Sequence, residues 1–266
     1  MRKKILLVLG ILILASTMAS CSPFSTSYDY GNAEVVEVKS NLRDVIGKVE
    51  KSCVGIQTRL FSKSSLSASI GSGVVYKQAG NDYYCVTNFH VVSDSLNKAQ
   101  DTSSYDITYK VFLGSNNYAV DAYYVCGSYQ KDLAVLRFTC KDQSKVASLE
   151  LKSIDNVILT PGSIAISIGC PLDLIYFNTV SVGNIAKEPY LVNNNGGSLK
   201  IVQHNCGINP GNSGGGLFDA NGNLIGVNFK KTNSIEQNGQ IIYVEGLNYA
   251  IYIDEVMTFL SSNGVL

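Results

Sequence analysis

Gly211-Asn212-Ser213-Gly214-Gly215 places a single serine between glycines, just before an apolar run. Glycine adopts backbone turns that other residues resist, so this loop can aim successive N–H groups at one point. Converging N–H donors are what an oxyanion hole requires. Ser213 is therefore the candidate nucleophile, and the N–H groups of Gly211, Ser213 and, as a third, Asn212 are the candidate oxyanion donors. The same letters also form ordinary turns, so the remaining sequence has to decide.

A serine hydroxyl needs a neighbouring base, and histidine is the usual one because it titrates near neutral pH. The chain contains two histidines. His90 lies near the end of residues 83–92, which predict a β-strand running into a turn. His204 lies in a strand-like segment and is expected to be structural or at a pocket rim. Asp132 stands directly before an apolar strand-like run, where an unpaired carboxylate would be costly. We therefore expect Asp132 to orient His90.

The segments around these residues come in the order His, Asp, Ser, which is the order of the chymotrypsin-type fold. Residues 87–92, 132–136 and 209–215 resemble the catalytic segments of HtrA/Deg-type trypsin-like serine proteases, with residues 71–75 and 224–228 in matching context. Three such segments in order are specific, although one alone would be weak. The resemblance covers roughly residues 40–262, and the chain ends at Leu266, so it implies a protease that lacks a PDZ domain.

The resemblance implies an all-β fold of two six-stranded antiparallel β-barrels, about 53–145 and about 158–250, within a protease domain spanning residues 40–262. The local patterns agree with it. Helical spacing over 40–52 and 254–261 predicts a short N-terminal and a C-terminal helix. Between them, short strand-like runs alternate with turn residues, as in all-β proteins. The Tyr-rich residues 105–129 are expected to form an elaborated hairpin, and Asn221-Gly222 supplies a second hairpin turn.

The substrate pocket is expected, by the same resemblance, to be lined by Ile208 and by the strand residues Gly226, Val227 and Asn228. Residues 206–209 contain no Asp or Glu, so the sequence disfavours cleavage after Lys or Arg. Small or medium apolar side chains before the cut are expected instead.

The first twenty residues have the pattern of a signal peptide, with Arg2-Lys3-Lys4 followed by a short apolar segment. Residues 18–21 resemble a bacterial lipoprotein signal, so Cys21 is the predicted lipidation site and residues 21–39 a tether. The expected location is the outer face of the cell membrane; cleavage by an ordinary signal peptidase would give a secreted protein instead. Removal of residues 1–20 leaves 18 basic against 21 acidic residues, which does not favour nucleic-acid binding.

Six cysteines follow Cys21, and export permits disulfides, but most of the six lie in apolar strand-like segments where a free thiol packs equally well. The sequence leaves the presence of a disulfide open. No metal site or cofactor is expected. Related proteases form trimers through an N-terminal segment, so residues 34–52 are a candidate for homotrimer contacts.

Three functions remain in competition. The leading one is an endopeptidase acting on exported or misfolded proteins. The second is a specialised secreted protease resembling the glutamyl endopeptidase/exfoliative-toxin group, against which Gly215 and Asn228 argue. The third is a protease-like binding lipoprotein without turnover, although no candidate catalytic residue has been lost.

Overall fold

The computed structural model describes residues 41–62, 66–98, 105–114, 118–152 and 159–266. The predicted signal peptide 1–20, lipidation site Cys21 and tether lie outside these residues. Within the described ranges, no helix is long and apolar enough to cross a membrane.

Six strands of the N-terminal half form a closed antiparallel barrel. They are β1 Cys53–Ser62, β2 Leu66–Ala79, β3 Asp82–Thr87, β4 Tyr105–Phe112, β5 Ala119–Ser128 and β6 Leu133–Thr139. Strand β1 pairs with both β2 and β4, which closes the ring. The pairing of β4 with β5 confirms the hairpin predicted for the Tyr-rich segment. The barrel core contains Tyr83 stacked on Phe138, with ring centroids 5.6 Å apart.

Six further strands form a second closed antiparallel ring. They are β7 Ile164–Gly169, β8 Thr179–Asn194, β9 Gly197–His204, β10 Gly216–Phe218, β11 Leu224–Gln237 and β12 Gln240–Tyr252. The short strand β10 pairs with β11 on one side and with β7 on the other. Because β10 follows the serine loop directly, this pairing fixes where the loop ends.

Two helices lie where the sequence predicts them. Helix α1 spans Leu42–Val49 and begins at Asn41, whose side chain accepts a hydrogen bond from the N–H of Arg43 at 3.0 Å. Its buried residues Val45 and Val49 pack into the same hydrophobic core as the second barrel. Helix α3 spans Ile253–Ser262 and buries its apolar face as well. The predicted all-β fold with an N-terminal and a C-terminal helix is confirmed.

A third helix, α2 Phe89–Lys98, was not predicted. The sequence Phe89-His90-Val91-Val92 is rich in the aromatic and β-branched residues that favour strands. A helix forms because the N–H of His90 donates to the carboxylate of Asp132, at 2.9 Å, and so satisfies a free helix donor. The partner lies 42 residues away in sequence, and tertiary structure therefore overrides the local preference.

Removing the Phe138 ring should destabilise the protein strongly, since this side chain is 1 % exposed in the core of the first barrel. We expect Phe138→Ala to lower the free energy of unfolding by about 3–5 kcal/mol. Tyr123→Ala is the matched control, because Tyr123 lies on the adjacent strand β5 and is 62 % exposed; it should cost about 0.5 kcal/mol or less. Urea unfolding of both variants measures the difference, and equal losses would contradict the core assignment.

Candidate active site

His90 and Asp132 are joined by two hydrogen bonds. The ring nitrogen Nδ1 of His90 lies 2.8 Å from Oδ2 of Asp132, and the backbone N–H of His90 donates to Oδ1 at 2.9 Å. One carboxylate thus holds both the imidazole and the start of α2, a helix whose first turn contains no acidic residue. The Asp132 side chain is 12 % exposed and that of His90 39 %, so the carboxylate is enclosed while the ring reaches the surface.

The backbone of Asp132 is held in an unfavourable conformation. Its φ angle is +50°, in the left-handed region that residues with a Cβ rarely adopt. The Asn88 side chain donates to the Asp132 carbonyl at 2.9 Å, and the Asp132 N–H reaches the carbonyl of Tyr129 at 3.3 Å. Next to it, the Lys131 ammonium bonds to Glu255 of α3 at 2.6 Å. Contacts from the first barrel and from α3 therefore hold the turn that presents the carboxylate.

Ser213 lies in the loop between β9 and β10, and it lines the same cavity of about 170 Å³ as His90. The loop is tied to β11: the N–H of Gly214 donates to the Asn228 carbonyl at 2.8 Å, and the N–H of Asn228 donates to the Gly215 carbonyl at 2.9 Å. Gly214 has a φ of +86°, and a Cβ there would collide with the Ser72 carbonyl. Only glycine fits this position.

The N–H groups of Gly211 and Ser213 have no hydrogen-bond partner among the described residues. The carbonyl of Pro210 accepts a bond from the Leu172 N–H at 2.6 Å. Because the C=O and N–H of a trans peptide point in opposite directions, this bond turns the Gly211 N–H away from Leu172. The N–H of Asn212 is used, since it donates to the Asn209 carbonyl at 3.0 Å. The expectation of a third oxyanion donor at Asn212 is therefore corrected.

A second cavity, of about 250 Å³, adjoins Ser213. Ile208 lines it, but Gly226, Val227 and Asn228 do not, because all three are buried in β11. Its other wall comes from the continuation of β11, namely Phe229, Lys230, Lys231 and Asn233. The expected lining is thus corrected by a few residues along the strand. A β-bulge between Asn228 and Lys230 marks the change from buried strand to cavity wall.

A family model for the trypsin-like peptidase domain matches residues 71–227, more than half of the chain. The chain belongs to the trypsin-like peptidase family. The matched range contains His90, Asp132 and Ser213, the three residues that this geometry brings to one region.

HtrA-type serine proteases are among the family members that the chain resembles. It is 31 % identical over 262 residues to Serine protease Do-like HtrA of Lactococcus lactis subsp. cremoris, covering 89 % of this chain and 60 % of that protein. It is 28 % identical to Serine protease HtrA-like of Staphylococcus aureus, over 95 % of this chain and 32 % of that one. The chain therefore spans less than two thirds of these relatives.

A solved structure of the HtrA-type protease AlgW, a serine-to-alanine variant with a tripeptide, has the same fold. The TM-score is 0.59 and the identity 25 %, with 84 % of this chain and 63 % of that chain covered. The chymotrypsin-like architecture expected of a trypsin-like peptidase is thereby confirmed.

The second histidine of this peptidase domain lies inside the second barrel. His204 is 0 % exposed, and burial lowers its pKa from 6.5 to about 4, an effect that the Asn228 side chain partly offsets. An imidazole with this surrounding stays neutral at physiological pH. His204 is therefore a structural residue and does not reach the pocket rim.

The described part of the chain holds no group of three or more His, Cys, Asp or Glu side chains that could bind a metal ion. Its six cysteines are free thiols: Cys53, Cys85, Cys126, Cys140, Cys170 and Cys206. The sequence left open whether a disulfide is present; within the described residues, the cysteines pack as thiols and form no disulfide.

Stability should fall in acid because of His204. Its pKa is lower in the folded than in the unfolded protein, so between pH 6.5 and pH 4 the unfolded chain binds more protons. The free energy of unfolding therefore falls by about 3 kcal/mol as the pH drops from 6.5 to 4. Urea unfolding at pH 7 and pH 4 should show that His204→Gln loses about 3 kcal/mol less than the wild type. The same pH dependence in both proteins would contradict this assignment.

Proposed function

We propose that the protein is a serine endopeptidase that hydrolyses peptide bonds of exported or misfolded proteins through Ser213, His90 and Asp132. The observation that carries this proposal is the His90–Asp132 hydrogen bond of 2.8 Å beside a cavity that His90 shares with Ser213. Membership of the trypsin-like peptidase family supports the same reaction.

In the proposed reaction, the Ser213 hydroxyl attacks the carbonyl carbon of the scissile bond while His90 takes its proton. Asp132 holds the imidazole by Nδ1 and stabilises its charged form. The developing oxyanion accepts hydrogen bonds from the N–H groups of Gly211 and Ser213. His90 then protonates the leaving amine, and water hydrolyses the acyl-enzyme by the reverse sequence of proton transfers.

The cavity beside Ser213 supports a choice of side chain before the cut. Ile208 and Phe229 provide apolar surface, and Lys230 and Lys231 add positive charge without an ion pair to any described carboxylate. Positive charge repels a Lys or Arg side chain. We propose a preference for small or medium apolar residues at this position. The two lysines favour, as a second candidate, a preference for acidic residues of the glutamyl endopeptidase kind.

We further propose that residues 40–262 act as the protease domain, exported by the signal peptide 1–20 and held at the outer face of the cell membrane by a lipid on Cys21. Mass spectrometry of the membrane fraction would detect the lipidated peptide, and release of unmodified protein would favour secretion. A homotrimer through residues 34–52 is also proposed. In α1, Val45 and Val49 are already buried in their own chain, so trimer contacts would use its other face. Light scattering measures the assembly state.

Removal of the nucleophile or of the carboxylate should lower turnover by different amounts. We expect Ser213→Ala to reduce kcat by about 10⁶ and Asp132→Asn by about 10⁴, since an amide in place of the carboxylate would leave the imidazole in the wrong tautomer. Asp121→Asn is the control, because Asp121 is an exposed residue paired with Lys110. Peptide hydrolysis and fluorophosphonate labelling measure both effects. Near-normal turnover in either variant would mean that the wrong residue has been assigned.

A cleavage profile on a peptide library should show small or medium apolar residues before the cut and discrimination against Lys and Arg. Lys231→Glu should raise cleavage after Lys by about threefold to fivefold, the effect of one partly exposed ion pair. Lys152→Glu is the control, because Lys152 pairs with Glu150 and does not line this cavity. A profile dominated by Asp and Glu would favour the second candidate, and one dominated by Lys and Arg would contradict both.

A further inference from the structure

The hydroxyl of Ser72 links the first barrel to the serine loop of the second. Ser72 lies on β2, is 1 % exposed, and donates from Oγ to the Gly211 carbonyl at 2.7 Å. The same oxygen accepts a hydrogen bond from the Cys170 N–H at 2.8 Å. The backbone N–H of Ser72 donates to the Ser213 carbonyl, also at 2.8 Å. The hydroxyl and the backbone N–H of Ser72 thus bond to the loop or to the segment beside it.

Three glycines allow Ser72 to come this close. A Cβ on Gly169 would lie 3.0 Å from Ser72 Oγ, and one on Gly215 would lie 3.2 Å from its Cβ. A Cβ on Gly214 would collide with its carbonyl oxygen. The serine is therefore enclosed, and its hydroxyl is aimed at Gly211 by the surrounding backbone.

Gly211 is the residue whose orientation most needs such support. Its φ angle is +99°, and glycine crosses between backbone conformations at little steric cost. Three hydrogen bonds fix the peptides on its two sides. The Leu172 N–H holds the preceding carbonyl of Pro210, the Ser72 hydroxyl holds the carbonyl of Gly211 itself, and the Asn212 N–H bonds to Asn209. Leu172 and Cys170 belong to the same short segment, so Ser72 holds both that segment and Gly211.

We propose that Ser72 is a positioning residue, whose hydroxyl keeps the Gly211 N–H directed at the oxyanion of the reaction. The proposal rests on the proposed function, because it concerns the oxyanion hole of that reaction. Without the hydroxyl, the Gly211 carbonyl loses its donor, and only the Leu172–Pro210 and Asn212–Asn209 hydrogen bonds then oppose rotation of the backbone around Gly211. Substrate would still bind, but the transition state would lose part of its stabilisation.

The test compares Ser72→Ala with Ser52→Ala in the full chain. Ser52 is a matched control, because its hydroxyl is also buried and donates to a backbone carbonyl, that of Val49, at 2.6 Å. For Ser72→Ala we expect kcat on a peptide substrate to fall by about 10- to 100-fold, with KM changed by less than about threefold. Affinity for a peptide boronic acid, which forms a tetrahedral adduct, should fall in parallel with kcat. Ser52→Ala should keep kcat within about twofold.

Crystal structures of both variants give a readout independent of activity. A rotated or poorly ordered Gly211 peptide in Ser72→Ala, with an unchanged one in Ser52→Ala, supports the proposal. A kcat within about threefold of the wild type, or an unchanged Gly211 peptide, overturns it. If the wild type itself neither cleaves peptides nor reacts with a fluorophosphonate, the proposed function fails, and the Gly211 peptide alone then decides the role of Ser72.

Ser72→Cys replaces Ser72→Ala if the alanine variant does not fold. Its thiol keeps an atom at the γ position but is a weak hydrogen-bond donor. We expect a smaller fall in kcat than for alanine, again with KM nearly unchanged. Full activity of a folded Ser72→Cys would overturn the proposal.

Discussion

One backbone hydrogen bond, from the Ser72 N–H to the Ser213 carbonyl at 2.8 Å, joins the two barrels at the serine on which the proposed chemistry depends. His90 and Asp132 belong to the first barrel and Ser213 to the second, so no local sequence can place them together. Hydrogen bonds between the two halves fix their relative positions, and the Lys131–Glu255 pair adds a connection to α3 beside Asp132. The site therefore exists only where both barrels have folded and docked.

The backbone at this site is unfavourable locally and is stabilised from a distance. Asp132, Gly211 and Gly214 all have positive φ angles. The N–H groups of Gly211 and Ser213 lack hydrogen-bond partners in the described part of the chain, and both residues line a cavity. Strain and unpaired donors at one place are typical of a surface prepared for a ligand. In the proposed reaction, a developing oxyanion would supply the acceptor for both N–H groups.

The sequence predicts much of this arrangement, because its strongest signals are local. Glycines around Ser213, an acid before an apolar strand at Asp132 and helical spacing at both ends all reflect short-range physics. The start of α2 was not predicted, because the Asp132 carboxylate that accepts from the His90 N–H is distant in sequence. The residues that line the cavity were not predicted correctly, because a bulge after Asn228 changes which residues of β11 face outward. Gly71-Ser72-Gly73 is recognisable in the sequence as a glycine-flanked serine, but only the folded chain shows which carbonyl accepts a hydrogen bond from its hydroxyl.

The two histidines show that environment, and not residue type, assigns a role. His90 is partly exposed, and a carboxylate holds one of its ring nitrogens, so proton exchange with a substrate is open to it. His204 is enclosed in the second barrel, where burial lowers its pKa and keeps the ring uncharged. Burial acts in the opposite sense on the thiols, since it raises the pKa of Cys53, Cys85 and Cys206 to about 12. Both effects keep the neutral form in the core, because a charge there would lose its hydration. His204 and these three thiols thus stay uncharged in the core, whereas His90 lines the cavity where the proposed reaction would take place.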